Sequence, residues 1–259
     1  MAKIEMGNKT KIVATIGPAT SSKLSIQNLI ENGATVLRFN MAYCTRDYVS
    51  SLLFLIHSID PHVAIWLDVD GPKTRTGSFS EPQVTLQKDS HFIFYFAPVV
   101  GDCNGCSLNF PRVLGNIGDK VFISDGLVSL TIVDVNEQGV VCSVDNSGTI
   151  QPGMSVDVPF FASNLPTLTQ KDKEDLAFAM SCNVDYFSVS SLGHIEDIQE
   201  IRLLLGNSRI KLLSKIENGA AIQNFEQILK ISDGIVIDRG ALGVQVQLQT
   251  LPASQKRYL

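Results

Sequence analysis

Six short apolar runs recur along the chain, at residues 11–17, 34–40, 62–68, 186–190, 210–216 and 234–238, and between them lie segments with helical spacing or helical caps. Ile26, Leu29 and Ile30 give one short helix its apolar face, Asn32-Gly33 stops it, a second helix spans 46–58, and Thr169 caps a third over 170–181. Strands separated by helices must return in the same direction, through right-handed crossovers, so the pattern predicts an α/β fold built on a parallel sheet. From about Thr74 to Pro159 the texture changes. Apolar runs at 92–96, 120–124, 127–133 and 140–144 are separated by Gly, Asn and Asp, with no helical pattern among them. This predicts a small all-β domain inserted after the third strand, and a division into 1–73, 74–160 and 161–259.

The fifth run carries chemistry. In Ile210-Lys-Leu-Leu-Ser-Lys-Ile-Glu-Asn-Gly219 an apolar strand ends on Lys215 and Glu217. Side chains at i and i+2 share a face of a strand, roughly 7 Å apart at about 3.3 Å per residue, so an ammonium and a carboxylate point the same way. That pair suits an anionic, metal-bridged substrate, and it stands at a strand-to-helix junction, where α/β enzymes keep their sites. Asn218-Gly219 opens one amphipathic segment running through Ile222, Phe225, Ile228 and Leu229.

A chain of 259 residues, 44% apolar and 18% charged, can bury a full core. Its net charge of -5 favours neither nucleic acid nor an anionic membrane. Residues 1–10 lack a signal-peptide pattern and no apolar run is long enough for a bilayer, so a cytoplasmic protein is expected. Five cysteines (Cys44, Cys103, Cys106, Cys142, Cys182) fit reduced thiols. Cys103 and Cys106 have redox or half-zinc spacing, but no second pair completes a site and a plain turn is preferred. Trp66, Phe92, Tyr95 and Phe178 are most simply packing residues.

An ordered set of motifs resembles the pyruvate kinase family. They are Lys9-Thr-Lys-Ile-Val-Ala-Thr-Ile-Gly-Pro18, Leu37-Arg-Phe-Asn40, Leu67-Asp68 with Gly71-Pro72 and Arg75-Thr-Gly77, and Ser124-Asp-Gly-Leu127. Further along come Asn164-Leu-Pro166, Lys171-Asp-Lys-Glu-Asp175, Ser214-Lys-Ile-Glu-Asn218 and Ser232-Asp-Gly-Ile235 with Arg239-Gly240 and Leu242-Gly243. The resemblance implies a (β/α)8 TIM barrel, here incomplete with about six strands, carrying an inserted small β-barrel. It implies phosphoryl transfer from phosphoenolpyruvate to ADP, giving pyruvate and ATP, with Mg2+ or Mn2+. By the same resemblance Arg38 and Arg75 hold phosphate oxygens and Lys215 stabilises the moving phosphate and the enolate. Asn40, Tyr43 and Ser190 belong to the substrate and nucleotide region. Glu217 is one of two carboxylates on the divalent ion, and Asn40, Asp68 and Val69 belong to a monovalent-cation site. Partners would be phosphoenolpyruvate and ADP or ATP, without nucleic acid or membrane, and the chain could form a homo- or hetero-oligomer with full-length family members.

The departures from the family are chemical. Ala241 stands at the second metal-binding aspartate, Ala42 and Tyr43 replace serine and histidine, and Met154 replaces a lysine. A methyl or thioether can neither coordinate a hard cation nor neutralise a phosphate. Lys73 replaces a glutamate typical of potassium-dependent members, so little potassium dependence is expected, and Asp238 is a candidate substitute for the missing carboxylate. Strands seven and eight, the proton-donating threonine and the C-terminal domain would lie beyond Leu259, leaving two open sheet edges and a chain expected to be marginal on its own. Two readings follow. One is a divergent pyruvate kinase; the other is a non-catalytic paralogue that binds a phosphorylated ligand or pairs with active subunits. A Schiff-base lyase using Lys215 ranks behind both.

Overall fold

The computed structural model describes residues 10–110, 114–159, 166–246, 249 and 251–258. Lys9 and the Asn164-Leu165 part of one motif lie outside them. The parallel sheet is built from β1 (Ile12–Thr15), β2 (Ala34–Asn40) and β3 (Ala64–Val69), with α1 (Lys23–Glu31) and α2 (Arg46–Ile59) between them. Its helices start where the sequence supplies an acceptor. Ser22 Oγ accepts from Ser25 N at 3.1 Å at the start of α1, and Thr45 Oγ1 accepts from Tyr48 N at 3.3 Å at the start of α2.

After β3 the chain makes β4 (Val84–Leu86), β5 (His91–Tyr95), β6 (Gly105–Ser107), β7 (Lys120–Ile123), β8 (Val128–Val135), β9 (Gly139–Val144), β10 (Gly148–Ile150) and β11 (Val156–Asp157). Six of these form a mostly antiparallel sheet in the order β11-β7-β8-β9-β5-β6, while β10 pairs with β4. The short strands β4, β6, β10 and β11 are absent from the sequence reading, because two or three residues are too few to show a period.

The first pattern then resumes with α3 (Gln170–Cys182), β12 (Tyr186–Val189), α4 (Ile195–Leu205), β13 (Lys211–Ile216), α5 (Gly219–Gln223), α6 (Phe225–Ile231), β14 (Gly234–Ile237), α7 (Arg239–Gln245) and α8 (Leu251–Tyr258). A reciprocal capping box starts α3, with Asp172 N donating to Thr169 Oγ1 and Thr169 N to Asp172 Oδ2. The expected single amphipathic helix after β13 is broken at Asn224 into α5 and α6, where the Asn224 amide side chain donates to the Gly193 carbonyl at 2.8 Å. Leu229, read as part of its apolar face, is 43% exposed.

The parallel strands are ordered β1-β2-β3-β12-β13-β14, so sequence neighbours are spatial neighbours once the β-rich segment is set aside. All five pairings are parallel. Central strands are buried on both faces, as β3 shows from Ile65 to Val69. Within the apolar run at 11–17, Ile12 and Val13 are 48% and 46% exposed, because β1 is an edge with one neighbour. Among the described residues no helix is long and apolar enough to cross a membrane.

One apolar core, including Leu37, Phe39, Ile56, Leu67, Phe187 and Leu212, underlies the parallel sheet; a second, including Phe92, Phe94, Leu130 and Val140, lies within the β-rich segment. Gly71 closes the turn after β3 at φ +66°, and a Cβ there would lie 2.2 Å from the Ser190 carbonyl oxygen. Only glycine allows that approach of the β3 and β12 ends.

Candidate functional site

Parallel strands bring their C-terminal ends to one side, and that side collects the charged residues. Asn40 and Asp68 are cross-strand partners at the ends of β2 and β3, and Asp68 is in register with Ser188 of β12. Lys215 comes from β13, Glu217 follows it, and Asp238 follows β14. The alternation of β13 carries the Lys215 and Glu217 side chains to the same side, where Nζ and Oε2 meet at 3.1 Å. Lys215 is 5% exposed and donates to Ser190 Oγ at 2.7 Å, with Asp68 Oδ2 at 3.6 Å and Asp238 Oδ2 at 3.7 Å. Burial opposes this ammonium, and the Glu217, Asp68 and Asp238 carboxylates outweigh it, so the Lys215 pKa is raised. The lysine is a fixed cation and carries no sign of the lowered pKa a Schiff-base amine needs.

Arg38 is held by a carboxylate. Its Nε and Nη2 donate to Asp68 Oδ2 at 2.9 and 2.5 Å, and Nη1 donates to Thr15 Oγ1 at 3.0 Å. Asp68 Oδ1 accepts from Ser188 Oγ at 2.6 Å, and Ser188 Oγ accepts from Trp66 Nε1 at 2.8 Å. The Trp66 ring also lies under the guanidinium, 5.5 Å from ring centre to Cζ. Sequence reading took Trp66 for packing and did not single out Ser188; both position Arg38 and Asp68. The two Asp68 oxygens are thus engaged by protein donors.

The remaining expected residues are placed as follows. Asn40 Oδ1 accepts from Ala42 N at 3.1 Å, and the Val69 carbonyl accepts from Ser190 N at 3.1 Å. Tyr43 is 82% exposed. Arg75 forms a separate group, donating to Asp70 Oδ2 at 2.5 Å and to the Gly153 carbonyl at 2.9 Å. Lys73 Nζ is 3.7 Å from Asp70 Oδ1. Met154 is folded onto its own turn, its sulfur accepting from Gln151 N at 3.4 Å. Cys103 is exposed, Cys106 is buried, and both are free thiols; burial pushes the Cys106 thiol up to about 12.

A cleft opens beside Lys215. Glu217, Ser191 and Ala241 line it from the parallel sheet, Asp125 and Asp157 from the β-rich segment, and Lys73 from the turn between them. Glu217 Oε1 accepts from Ser191 N at 2.5 Å, and its buried Oε2 faces the Lys215 ammonium at 3.1 Å. Burial pushes the half-buried Asp157 up to about 6; nearby Lys73 works the other way, and Asp125 and Glu217 add to the rise. Asp238, the candidate substitute, spends Oδ1 on the α7 N-terminus by accepting from Ala241 N at 3.2 Å.

A sequence model described as "Pyruvate kinase, barrel domain" matches residues 7–259. The chain belongs to the pyruvate kinase family. It is 34% identical to a pyruvate kinase of Clostridium acetobutylicum over 97% of this chain and 55% of that protein. A pyruvate kinase of Dictyostelium discoideum is 35% identical over 96% of this chain and 52% of its own length, and one of Clostridium perfringens 31% over 97% and 55%. The chain therefore spans about half the length of the curated relatives it matches. Membership in a pyruvate kinase family makes a phosphotransferase ancestry plain and an α/β fold its frame.

Proposed function

We propose that this chain is a pyruvate kinase-type phosphotransferase, moving a phosphoryl group from phosphoenolpyruvate to ADP. The observation that carries the reading is the buried Lys215 ammonium, ringed by Asp68, Glu217, Asp238 and Ser190 at the C-terminal ends of parallel strands. Phosphoryl transfer is chiefly positioning and charge neutralisation, and a preformed cation in a dry site supplies both. In this reading Lys215 faces the transferring phosphate and the enolate oxygen, and Arg38, stiffened by Asp68 and Trp66, grips phosphate oxygens in its forked geometry. Arg75 adds a second guanidinium, while Ser190 holds Lys215, and Asn40 and Tyr43 shape the nucleotide side. The division into 1–73, an inserted β-barrel at 74–160 and 161–259 belongs to the same proposal, as do the incomplete (β/α)8 barrel and pairing with longer family members.

The family implies Mg2+ or Mn2+. Of the two carboxylates expected on that ion, Glu217 is present at the cleft with its Oε2 3.1 Å from the Lys215 ammonium, while Ala241 offers only a methyl group to the same cleft. When bound, the ion would neutralise charge on the phosphate. The monovalent site of Asn40, Asp68 and Val69 has Asp68 committed to Arg38 and Ser188, which supports little dependence on potassium. A second reading, a non-catalytic phospho-ligand or subunit-pairing module, is favoured by Ala241.

Turnover of phosphoenolpyruvate and ADP to pyruvate by the 259-residue chain, with Mn2+ and with or without potassium, separates the two. Phosphotransfer is expected, unchanged by potassium, and lowered about 10²- to 10³-fold by Lys215→Met, the range for losing one preorganised electrostatic donor. A parent rate no higher than that of Lys215→Met overturns catalysis. Saturable phosphoenolpyruvate binding without turnover supports the second reading.

A further inference from the structure

The Lys171-Asp-Lys-Glu-Asp175 motif has no part in the phosphotransferase reading, yet the start of α3 that it forms holds the loop after β2 at both of its ends. We propose that Lys171 is a positioning residue for ADP: by fixing the Met41 carbonyl from α3, it holds the loop at 41–45 so that Tyr43 presents its ring to the nucleotide base.

Lys171 Nζ donates to the Met41 carbonyl at 2.8 Å and to Asp175 Oδ2 at 2.5 Å, and Asp175 is 1% exposed. The buried carboxylate aims the ammonium, and a charge-assisted hydrogen bond carries that aim onto the loop. At the other end of the loop Arg46, the first residue of α2, donates to Glu174 Oε2 at 2.6 Å, with its Nε 3.5 Å from Asp175 Oδ1. Asp175 thus faces both anchors. The start of α3 is itself fixed, since buried Asp172 closes the capping box with Thr169 and accepts from Gly71 N of the turn after β3 at 3.3 Å. Lys171 stands in the first turn of α3, where the helix dipole disfavours a cation. Its contacts to Asp175 and the Met41 carbonyl offset that cost.

Between the two anchors lie Ala42, Tyr43, Cys44 and Thr45, a span that starts at the C-terminal end of β2, the side of the sheet on which Lys215 and Glu217 stand. Its own bonds are local. Ala42 N donates to Asn40 Oδ1 at 3.1 Å and Tyr43 N to the Asn40 carbonyl at 3.0 Å. Tyr43 is 82% exposed, and an aromatic ring on the rim of a phosphate-binding centre suits the stacking of a base. Ordering a loop during binding costs affinity, so a ring carried on a short loop binds best when the loop is held beforehand.

The inference rests on the phosphotransferase reading for its choice of ADP, and its test does not need turnover. ADP binding to the 259-residue chain is measured by calorimetry, and amide hydrogen exchange is followed in the same variants. Lys171→Met should weaken ADP about 10-fold, the scale of one hydrogen bond to a charged group. It should leave phosphoenolpyruvate affinity unchanged, and speed exchange at Ala42 and Tyr43 but not along β3. Lys171→Arg, which keeps a cation with donors, should restore most of the ADP affinity. Tyr43→Ala should weaken ADP by a similar factor, and the Lys171→Met, Tyr43→Ala pair no further, because both act on one contact. If losing a cation beside buried Asp175 unfolds the single variant, the Lys171→Met, Asp175→Asn pair neutralises that carboxylate and gives the same comparison. A parent that binds no ADP, a Lys171→Met chain that binds it like the parent, or losses that simply add would overturn the proposal. ADP weakened by Lys171→Met in a chain without turnover would sustain this inference and sink the catalytic reading; turnover with ADP binding unmoved by Lys171→Met would do the reverse.

Discussion

Asp68 serves two cations at once, Arg38 through a forked contact and Lys215 at 3.6 Å, while its other oxygen takes the Ser188 hydroxyl. Removing it takes away the carboxylate that grips Arg38 and one of three around the buried Lys215 ammonium. Asp68→Ala should therefore lower the unfolding free energy by about 3–5 kcal/mol, the cost of removing one partner of a buried ion pair. Ser188→Ala, which removes a neutral donor, should cost about 1–3 kcal/mol. Urea denaturation of both variants checks this; equal losses, or an Asp68→Ala chain as stable as the parent, would show that the network stores no such energy. How far these residues could be read in advance depends on the distance over which each acts. Lys215 beside Glu217 follows from strand alternation alone, a local rule. Trp66 and Ser188 lie 122 residues apart and meet only because β3 pairs with β12, so nothing in either neighbourhood marks the contact.

At the scale of elements, Asp233 in the turn between α6 and β14 ties three pieces together. Its carboxylate accepts from Leu212 N of β13 at 2.8 Å and pairs with Arg202 of α4 at 2.7 Å, and Arg202 in turn donates to the Ile231 carbonyl at the end of α6. Burial pushes this carboxyl up, but the Leu212 amide and Arg202 outweigh it, and the Asp233 pKa is lowered. A native pKa below the unfolded value means that unfolding takes up a proton in acid. The contribution is complete above the unfolded carboxylate pKa of about 4 and fades as pH falls through the lower native value. Parent and Asp233→Asn thermal unfolding curves should thus differ most at pH 7 and converge below about pH 4. A gap that widens in acid would reverse the assigned sign. The long elements joined here were legible, because β13 and α4 carry sustained apolar patterns. The break at Asn224 was not, since the apolar spacing runs straight through it and the Gly193 carbonyl that draws the asparagine aside is 31 residues away.

For the whole molecule the telling fact is that the two apolar cores share no member. The chain leaves the parallel sheet after β3, closes a separate core around Phe92 and Phe94, whose rings meet edge to face at 5.3 Å, and returns at α3. Between the two lie polar groups: the Arg75 contacts to Asp70 and Gly153, and the acid-lined cleft. A polar seam couples two cores only weakly. The parallel sheet is also the less protected body, with β1 half-exposed at one edge and every residue of β14 only partly buried at the other. Scanning calorimetry of the 259-residue chain should therefore resolve two transitions, the parallel sheet melting first. Phe39→Ala, in the first core, should lower only the earlier one, and Phe92→Ala only the later, each removing about 3–5 kcal/mol from its own body. A single transition that both substitutions shift equally would mean that the cores unfold as one cooperative unit.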